Sequence, residues 1–254
     1  MNTPINDILE KMPWITLDEM ENIHLMDRVD SKFVAPLSLL PQLLEEMLPY
    51  FKVQITNGKR IAPYCTQYLD TPELDMFVMH QNGKLNRQKI RIRSYIDSHI
   101  SFLEIKNKNN KGRTKKIRVP IDQSHVQTVN ELENDKLFLE NNSLFDTERL
   151  EPVLENNFNR ITLVNNRETE RITIDMDLSF LNYKTGKTKL MDNLVILELK
   201  QDGWQRSDLR DILNKLRIKP QSFSKYCMGT VLTNPNLKYN RFKRKWTLIN
   251  KITQ

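Results

Sequence analysis

A chain of 254 residues, 39% hydrophobic and 28% charged with a formal charge of +7, is long enough for one large soluble domain with a substantial core. No run has the apolar length of a membrane span, and residues 1–20 carry acids and prolines where a secretory leader needs a basic start and an apolar stretch, so the expected location is the cytoplasm. Cys65 and Cys227, far apart in apolar surroundings, read as buried thiols and not as a disulfide, and the four histidines lack the spacing of a zinc site.

After a short N-terminal helix, residues 28–34 predict a strand with Arg28, Asp30 and Lys32 on one face. Pro36 then opens a helix over 37–48, with leucines at helical spacing, and Pro49 stops it. A strand over 64–70 runs into the turn Asp70-Thr71-Pro72 and a short helix over 73–82 capped by Gly83. Strands follow at 89–95, 100–107 and 115–120. Between Pro120 and Asn157 the chain has nine acids against two bases, which predicts a solvated, largely helical insertion over about 121–157. Further strands are expected at 157–165, 171–178 and 194–200, then a helix over 208–216 capped by Ser207 and another over 223–232. The tail, 233–254, holds five positive charges and no acid between Lys238 and Lys245. It reads as a strand or helix packed by Phe242, Trp246 and Leu248 in preference to a nucleic-acid surface, although Tyr239 and Trp246 among cations keep a polyanion-binding module as an alternative. The sum is a single α+β domain of roughly eight mostly antiparallel strands, with helices on the outside and a sheet that curls into a closed or nearly closed barrel.

The strands share one plan. In Lys89-Ile90-Arg91-Ile92-Arg93, Phe102-Leu103-Glu104-Ile105-Lys106, Lys116-Ile117-Arg118-Val119, Arg171-Ile172-Thr173-Ile174-Asp175-Met176-Asp177 and Ile196-Leu197-Glu198-Leu199-Lys200, charge takes one face and aliphatic side chains the other. One curled sheet would gather Arg91, Arg93, Lys106, Lys116, Arg118, Arg160, Arg171 and Lys200, whose mutual repulsion in a confined space calls for a polyanionic ligand. Phosphate suits this set, because guanidinium groups bind it bidentately and lysines supply point charge. Neither GxxxxGK[ST] nor GxGxxG occurs, so side chains, not a glycine-rich backbone cradle, would do the binding. Glu104, Glu198 and Asp175 or Asp177 on the same face are either salt-bridge partners of these cations or hard-oxygen ligands for Mg²⁺ or Mn²⁺.

The ordered set Arg28-x-Asp-x-Lys32-Phe, Tyr68-Leu-Asp70-Thr71, Ile90-Arg91-Ile-Arg93-x-Tyr95, Leu103-Glu104-Ile-Lys106, Lys116-Ile-Arg118-Val-Pro, Asn159-Arg160, Arg171-Ile-Thr-Ile-Asp175, Leu197-Glu198-Leu-Lys200 and Phe223-Ser224-Lys225-Tyr226 resembles the vacuolar transporter chaperone (VTC) domain. That domain is the polyphosphate polymerase branch of the triphosphate tunnel metalloenzymes (CYTH-like superfamily), and the resemblance covers about residues 28–229. It implies an antiparallel β-tunnel in which Lys32, Arg91, Arg93, Lys106, Lys116, Arg160, Arg171, Lys200 and Lys225 hold phosphates and Glu198 holds Mn²⁺ or Mg²⁺. The implied activity moves the terminal phosphoryl group of ATP onto inorganic polyphosphate, with a triphosphatase acting on inorganic or nucleoside triphosphate as the alternative. Two positions depart from the family: Ser222 stands where a lysine is frequent and Phe158 where a tyrosine is, each removing a potential phosphate contact.

Overall fold

The alternating strands build one curled antiparallel sheet, as expected. The computed structural model describes residues 3–23, 25, 28–122, 133–203 and 205–253. In chain order the elements are α1 (Thr3–Lys11), β1 (Trp14–Thr16), α2 (Leu17–Glu21), β2 (Arg28–Pro36), α3 (Leu40–Met47), β3 (Phe51–Ile55), β4 (Ala62–Asp70), α4 (Asp75–Gln81), β5 (Arg87–Tyr95), β6 (Ile100–Lys108) and β7 (Thr114–Ile121). They continue as α5 (Glu133–Asn142), β8 (Glu151–Asn165), β9 (Glu170–Asn182), β10 (Thr188–Met191), β11 (Leu194–Asp202), α6 (Asp208–Lys215), α7 (Lys225–Thr233) and α8 (Asn240–Thr253).

Eight strands form the main ladder in the order β2-β11-β9-β8-β4-β5-β6-β7, every neighbouring pair antiparallel. The short strands β1, β3 and β10 attach to its margins, β1 and β3 pairing in parallel. The terminal strands β2 and β7 share no ladder among the described residues, yet Lys32 of β2 and Lys116 of β7 line one cavity, so the sheet has curled into a nearly closed tunnel.

The aliphatic faces point outward into two apolar clusters. One holds Ile90, Ile92, Leu103 and Ile105 in the same cluster as Phe77 of α4 and Phe242 of α8; the other packs Ile172, Ile174, Leu197 and Leu199 against α1, α3 and α6. Ser207 caps α6 by accepting from Arg210 N, and Gly83 takes the positive φ of 70° expected after α4.

Several expectations need adjustment. Pro36 ends β2, and α3 starts only at Leu40 after a single 3₁₀ turn. The acidic segment is helical over Glu133–Asn142, but residues 151–157 belong to β8, which pairs with β4 from Glu151 opposite Asp70. Exposed Glu151 and Asn157 hid that strand, because they carry little β propensity. Residues 123–132 of the segment lie outside the described residues. The tail is helical, with Phe242 buried and Trp246 packed on the core, while Leu248 is exposed. Both cysteines are free thiols; Cys227 is buried and Cys65 only partly so.

A bulge turns the inner face of the tunnel from charged to apolar. Between β8 and β9 the register passes from Asn159↔Met176 to Asn157↔Ser179, with Asp177 at φ 53°. Beyond it Leu178 and Phe180 take the face that Asp175 occupies before it. This apolar half receives α7: a Cβ added at Gly229 would stand 2.4 Å from Phe180 and 2.7 Å from Leu154, so only glycine permits the approach. Docked there, α7 starts at Lys225 and presents it to the charged half, and buried Asp70 ties the helix down by accepting from the Tyr226 hydroxyl and from the backbone N–H groups of Thr71, Met76 and Phe77.

Candidate functional site

The tunnel encloses about 290 Å³ and is lined by residues of all eight ladder strands and of the segment entering α7. Of the cations expected from the sequence, Lys32, Arg91, Arg93, Lys106, Lys116, Arg160, Lys200 and Lys225 face it together, and Lys89 joins them. Nine cations thus surround four carboxylates, Asp30, Asp175 and Glu198 in the lining and Glu104 beneath it. The excess is confined to a space a few side chains wide, which disfavours an anion-free state and favours a ligand of several negative charges.

Cross-strand register decides how the charges pair. Arg91 lies opposite Glu104, which lies opposite Arg118. Glu104 is 1% exposed and accepts from Arg91 Nε at 2.8 Å and Lys116 Nζ at 3.0 Å, with Arg91 Nη2 at 2.6 Å. Arg160 lies opposite Asp175 and grips it with both arms at 2.6 and 2.8 Å, while Lys225 Nζ reaches the same carboxylate at 2.6 Å. Lys32 pairs with Glu198 at 2.8 Å. Burial by itself would raise these carboxyl pKa values, but Arg91, Arg93 and Lys116 hold Glu104 at about 2. Arg160 and Lys225 do the same for Asp175, and Lys32 and Lys200 for Glu198, both well below the usual carboxylate range. All three stay ionised at neutral pH.

Burial lowers the pKa of four lining cations, Arg93, Lys89, Lys106 and Lys225. Burial, then Arg91 and Arg160, push the Arg93 guanidinium down to about 10, and its Nε is buried with no hydrogen-bond partner among the described residues. Burial likewise pulls the Lys89 ammonium down to about 8, and its Nζ donates to the Ser224 hydroxyl at 3.0 Å. Both gain from an incoming phosphate oxygen. Aromatic faces support the cations on the β4–β8 side: Lys225 Nζ lies 3.0 Å from the centre of the Phe158 ring, and the Arg160 guanidinium 5.0 Å from that of Tyr64.

Arg118, Arg171 and Asp177 stand apart from the cavity lining. Arg118 is exposed and lies over the Phe102 ring, 4.3 Å from its centre. Arg171 donates to the backbone carbonyls of Met20 and Ile23, tying the segment after α2 to β9. Asp177, displaced by the bulge, accepts from Asn159 Nδ2 at 2.9 Å. Lys89 also lines the cavity, although the motifs did not single it out; its place two residues before Arg91 puts it on the same face.

For a divalent ion, the described residues contain no group of three or more His, Cys, Asp or Glu side chains able to hold one. Glu104 and Asp175 are each enclosed by two cations, whereas Glu198 is bonded to one lysine, retains 22% exposure and shares the cavity lining with Asp30, diagonal to it on the β2–β11 ladder. One or two carboxylates completed by substrate phosphates is a donor set that suits Mg²⁺ or Mn²⁺, so Glu198 fits the role of protein ligand.

Comparison with solved structures places this architecture among known folds. The Hippeastrum protein HpAC1, proposed as an adenylyl cyclase and found with a dominant triphosphatase activity, is similar with a TM-score of 0.52 and 15% identity, over 84% of this chain and 100% of its own. A Vibrio parahaemolyticus protein assigned as an adenylate cyclase gives a TM-score of 0.45 with 12% identity, over 80% and 97% of the two chains. The PH1819 protein of Pyrococcus horikoshii gives 0.42 and 15%, over 80% and 98%. No curated protein matches the sequence. The model of the VTC domain matches residues 27–234, a span that holds every strand of the tunnel and its helix-borne lysine, and the chain therefore belongs to the VTC-domain family.

Proposed function

We propose that this protein is a polyphosphate polymerase-like phosphotransferase, moving the terminal phosphoryl group of ATP onto a growing inorganic polyphosphate chain inside the tunnel. Phosphoryl transfer needs an aligned acceptor and neutralised charge more than covalent help from the protein. Arg91, Arg93, Arg160 and Lys225 would hold the phosphates of the donor, and Lys32, Lys89, Lys106, Lys116 and Lys200 those of the acceptor chain. Glu198 would hold Mn²⁺ or Mg²⁺, which when bound supplies neutralisation of charge on the phosphoryl oxygens.

The observation that supports transfer over hydrolysis is the state of three of the four tunnel carboxylates. Glu104, Asp175 and Glu198 are each bonded to cations and held far below neutral pKa, which makes them poor bases for activating water. His80, at the mouth, is pushed down to about 3 by burial and neighbouring cations and meets the Cys227 thiol through Nδ1. An acceptor that is already an ionised phosphate oxygen requires no base. Incubation with ATP labelled in its terminal phosphate and Mn²⁺ should give ADP and labelled polyphosphate. Label found only as free phosphate, with or without a polyphosphate primer, would replace this reading by a triphosphatase; label left on ATP would leave a polyanion-binding module.

A further inference from the structure

The basic tail does not hang free. α8 is anchored by Phe242, which stacks on Phe77 at 5.9 Å, and by Ile249, which is wholly buried. Lys245 lies between them at i+3 from Phe242, on the same side of the helix, and reaches the segment before α7, where its Nζ meets the Ser222 hydroxyl at 2.8 Å. That places it over one end of the tunnel. There a second cavity of about 290 Å³, continuous with the first through Lys32, Lys89, Lys106 and Glu198, is lined also by Arg87, Lys108 and Lys245.

The electrostatics of this mouth are lopsided. Six cations face two carboxylates, Asp30 and Glu198, and Glu198 is already bonded to Lys32. Lys89 and Lys245 are held by serine hydroxyls, Ser224 and Ser222, which position an ammonium without neutralising it. Beyond the mouth, Arg87 and Lys108 continue into an outer groove with Arg113 and Lys115. Positive charge therefore runs past the space that three phosphates would fill.

We propose that Lys245 completes a second anion subsite at the α8 end of the tunnel, which takes the part of a linear polyphosphate that extends beyond the tunnel cavity. This rests on the polyphosphate reading of the tunnel. α8 lies beyond the matched residues 27–234, and its lysine stands beside Ser222, supplying from a distant part of the chain a positive charge that position 222 lacks. The subsite separates long chains from short ones: a triphosphate is held by the tunnel residues alone, and a longer chain also meets Lys245.

Calorimetric titration of the intact protein with tripolyphosphate and with a polyphosphate of a few tens of units tests this. Lys245→Ala should weaken the long chain by roughly three- to tenfold, the range for one charge-assisted contact at a half-exposed site, and leave tripolyphosphate within about twofold. Lys243→Ala, at an exposed position of the same helix, should affect neither, and Ser222→Lys added to Lys245→Ala should recover the long-chain affinity. Melting temperature monitors folding of each variant, and Lys245→Gln repeats the test with the side-chain length largely kept. Equal weakening of both ligands, an unchanged long-chain affinity, or a matching loss in Lys243→Ala would overturn the subsite while leaving the tunnel reading intact. Wild-type protein that binds neither ligand would overturn both.

Discussion

Glu104 offers the sharpest test of how the tunnel is held together. It is 1% exposed and bonded to Arg91 and Lys116, so Glu104→Gln leaves the largely buried Arg91 guanidinium beside a neutral amide. The pKa of Glu104 falls from 4.5 to about 2. At about 1.4 kcal/mol per pKa unit, that is about 3 kcal/mol of preference for the charged form. Independently, removing one partner of a buried ion pair costs about 3–5 kcal/mol, and the glutamine oxygen still accepts one hydrogen bond, which puts the variant at the lower end. For a domain of this size about 3 kcal/mol lowers the melting temperature by about 6–12 °C. The stabilisation is complete above pH 4.5 and disappears as pH falls through about 2, so the difference between wild type and variant should narrow over that acid range. Urea unfolding at pH 7 in low salt measures it, first without anion and then with saturating tripolyphosphate. Phosphate oxygens replace the missing carboxylate as partners of Arg91 and Lys116, so the ligand should stabilise the variant more than the wild type. A loss below about 1 kcal/mol without anion, against the 3–5 kcal/mol typical of a broken buried pair, or a difference that tripolyphosphate does not reduce, would refute the reasoning.

Glu198→Gln should abolish metal-dependent turnover and destabilise the fold no more than Glu104→Gln does, since this carboxylate is partly exposed and bonded to one lysine; full activity with unaltered Mn²⁺ affinity would remove it as the metal ligand. Tripolyphosphate should raise the melting temperature of the wild type, and Arg91→Ala or Arg93→Ala should reduce the rise; sulfate at equal ionic strength producing the same rise would point to unspecific anion binding. Lys89 loses its proton near pH 8 when folded and near 10.5 when unfolded, so between these values the unfolded chain binds more protons and stability rises with pH. A phosphate beside Lys89 draws the proton back, so tripolyphosphate binding should weaken from pH 8 to 9.5 with proton uptake seen by calorimetry in two buffers. The same uptake in Lys89→Met would assign it elsewhere.

The periodicity of two in each strand was enough to say which side chains share a face, because alternation is set by the local pleat. It put Lys89, Arg91 and Arg93 on one face and Ile90 and Ile92 on the other, and the ordered motifs from Lys32 to Lys225 supplied the family and its tunnel. How far each face extends was a tertiary matter. The bulge at Asp177 reverses the alternation of β9, since one extra residue opposite Phe158 exchanges the two faces, and so Asp177 leaves the site while Phe180 enters the inner wall. Curl and register determined that Arg91 and Lys116 share Glu104 and that Arg118 remains outside over Phe102. Nothing local to Lys245 marked it as a tunnel residue. It arrives there because Phe242 and Ile249, at helical spacing from it, fill the core beside α4 and bring the helix across the mouth, a long-range contact that no strand or helix period encodes.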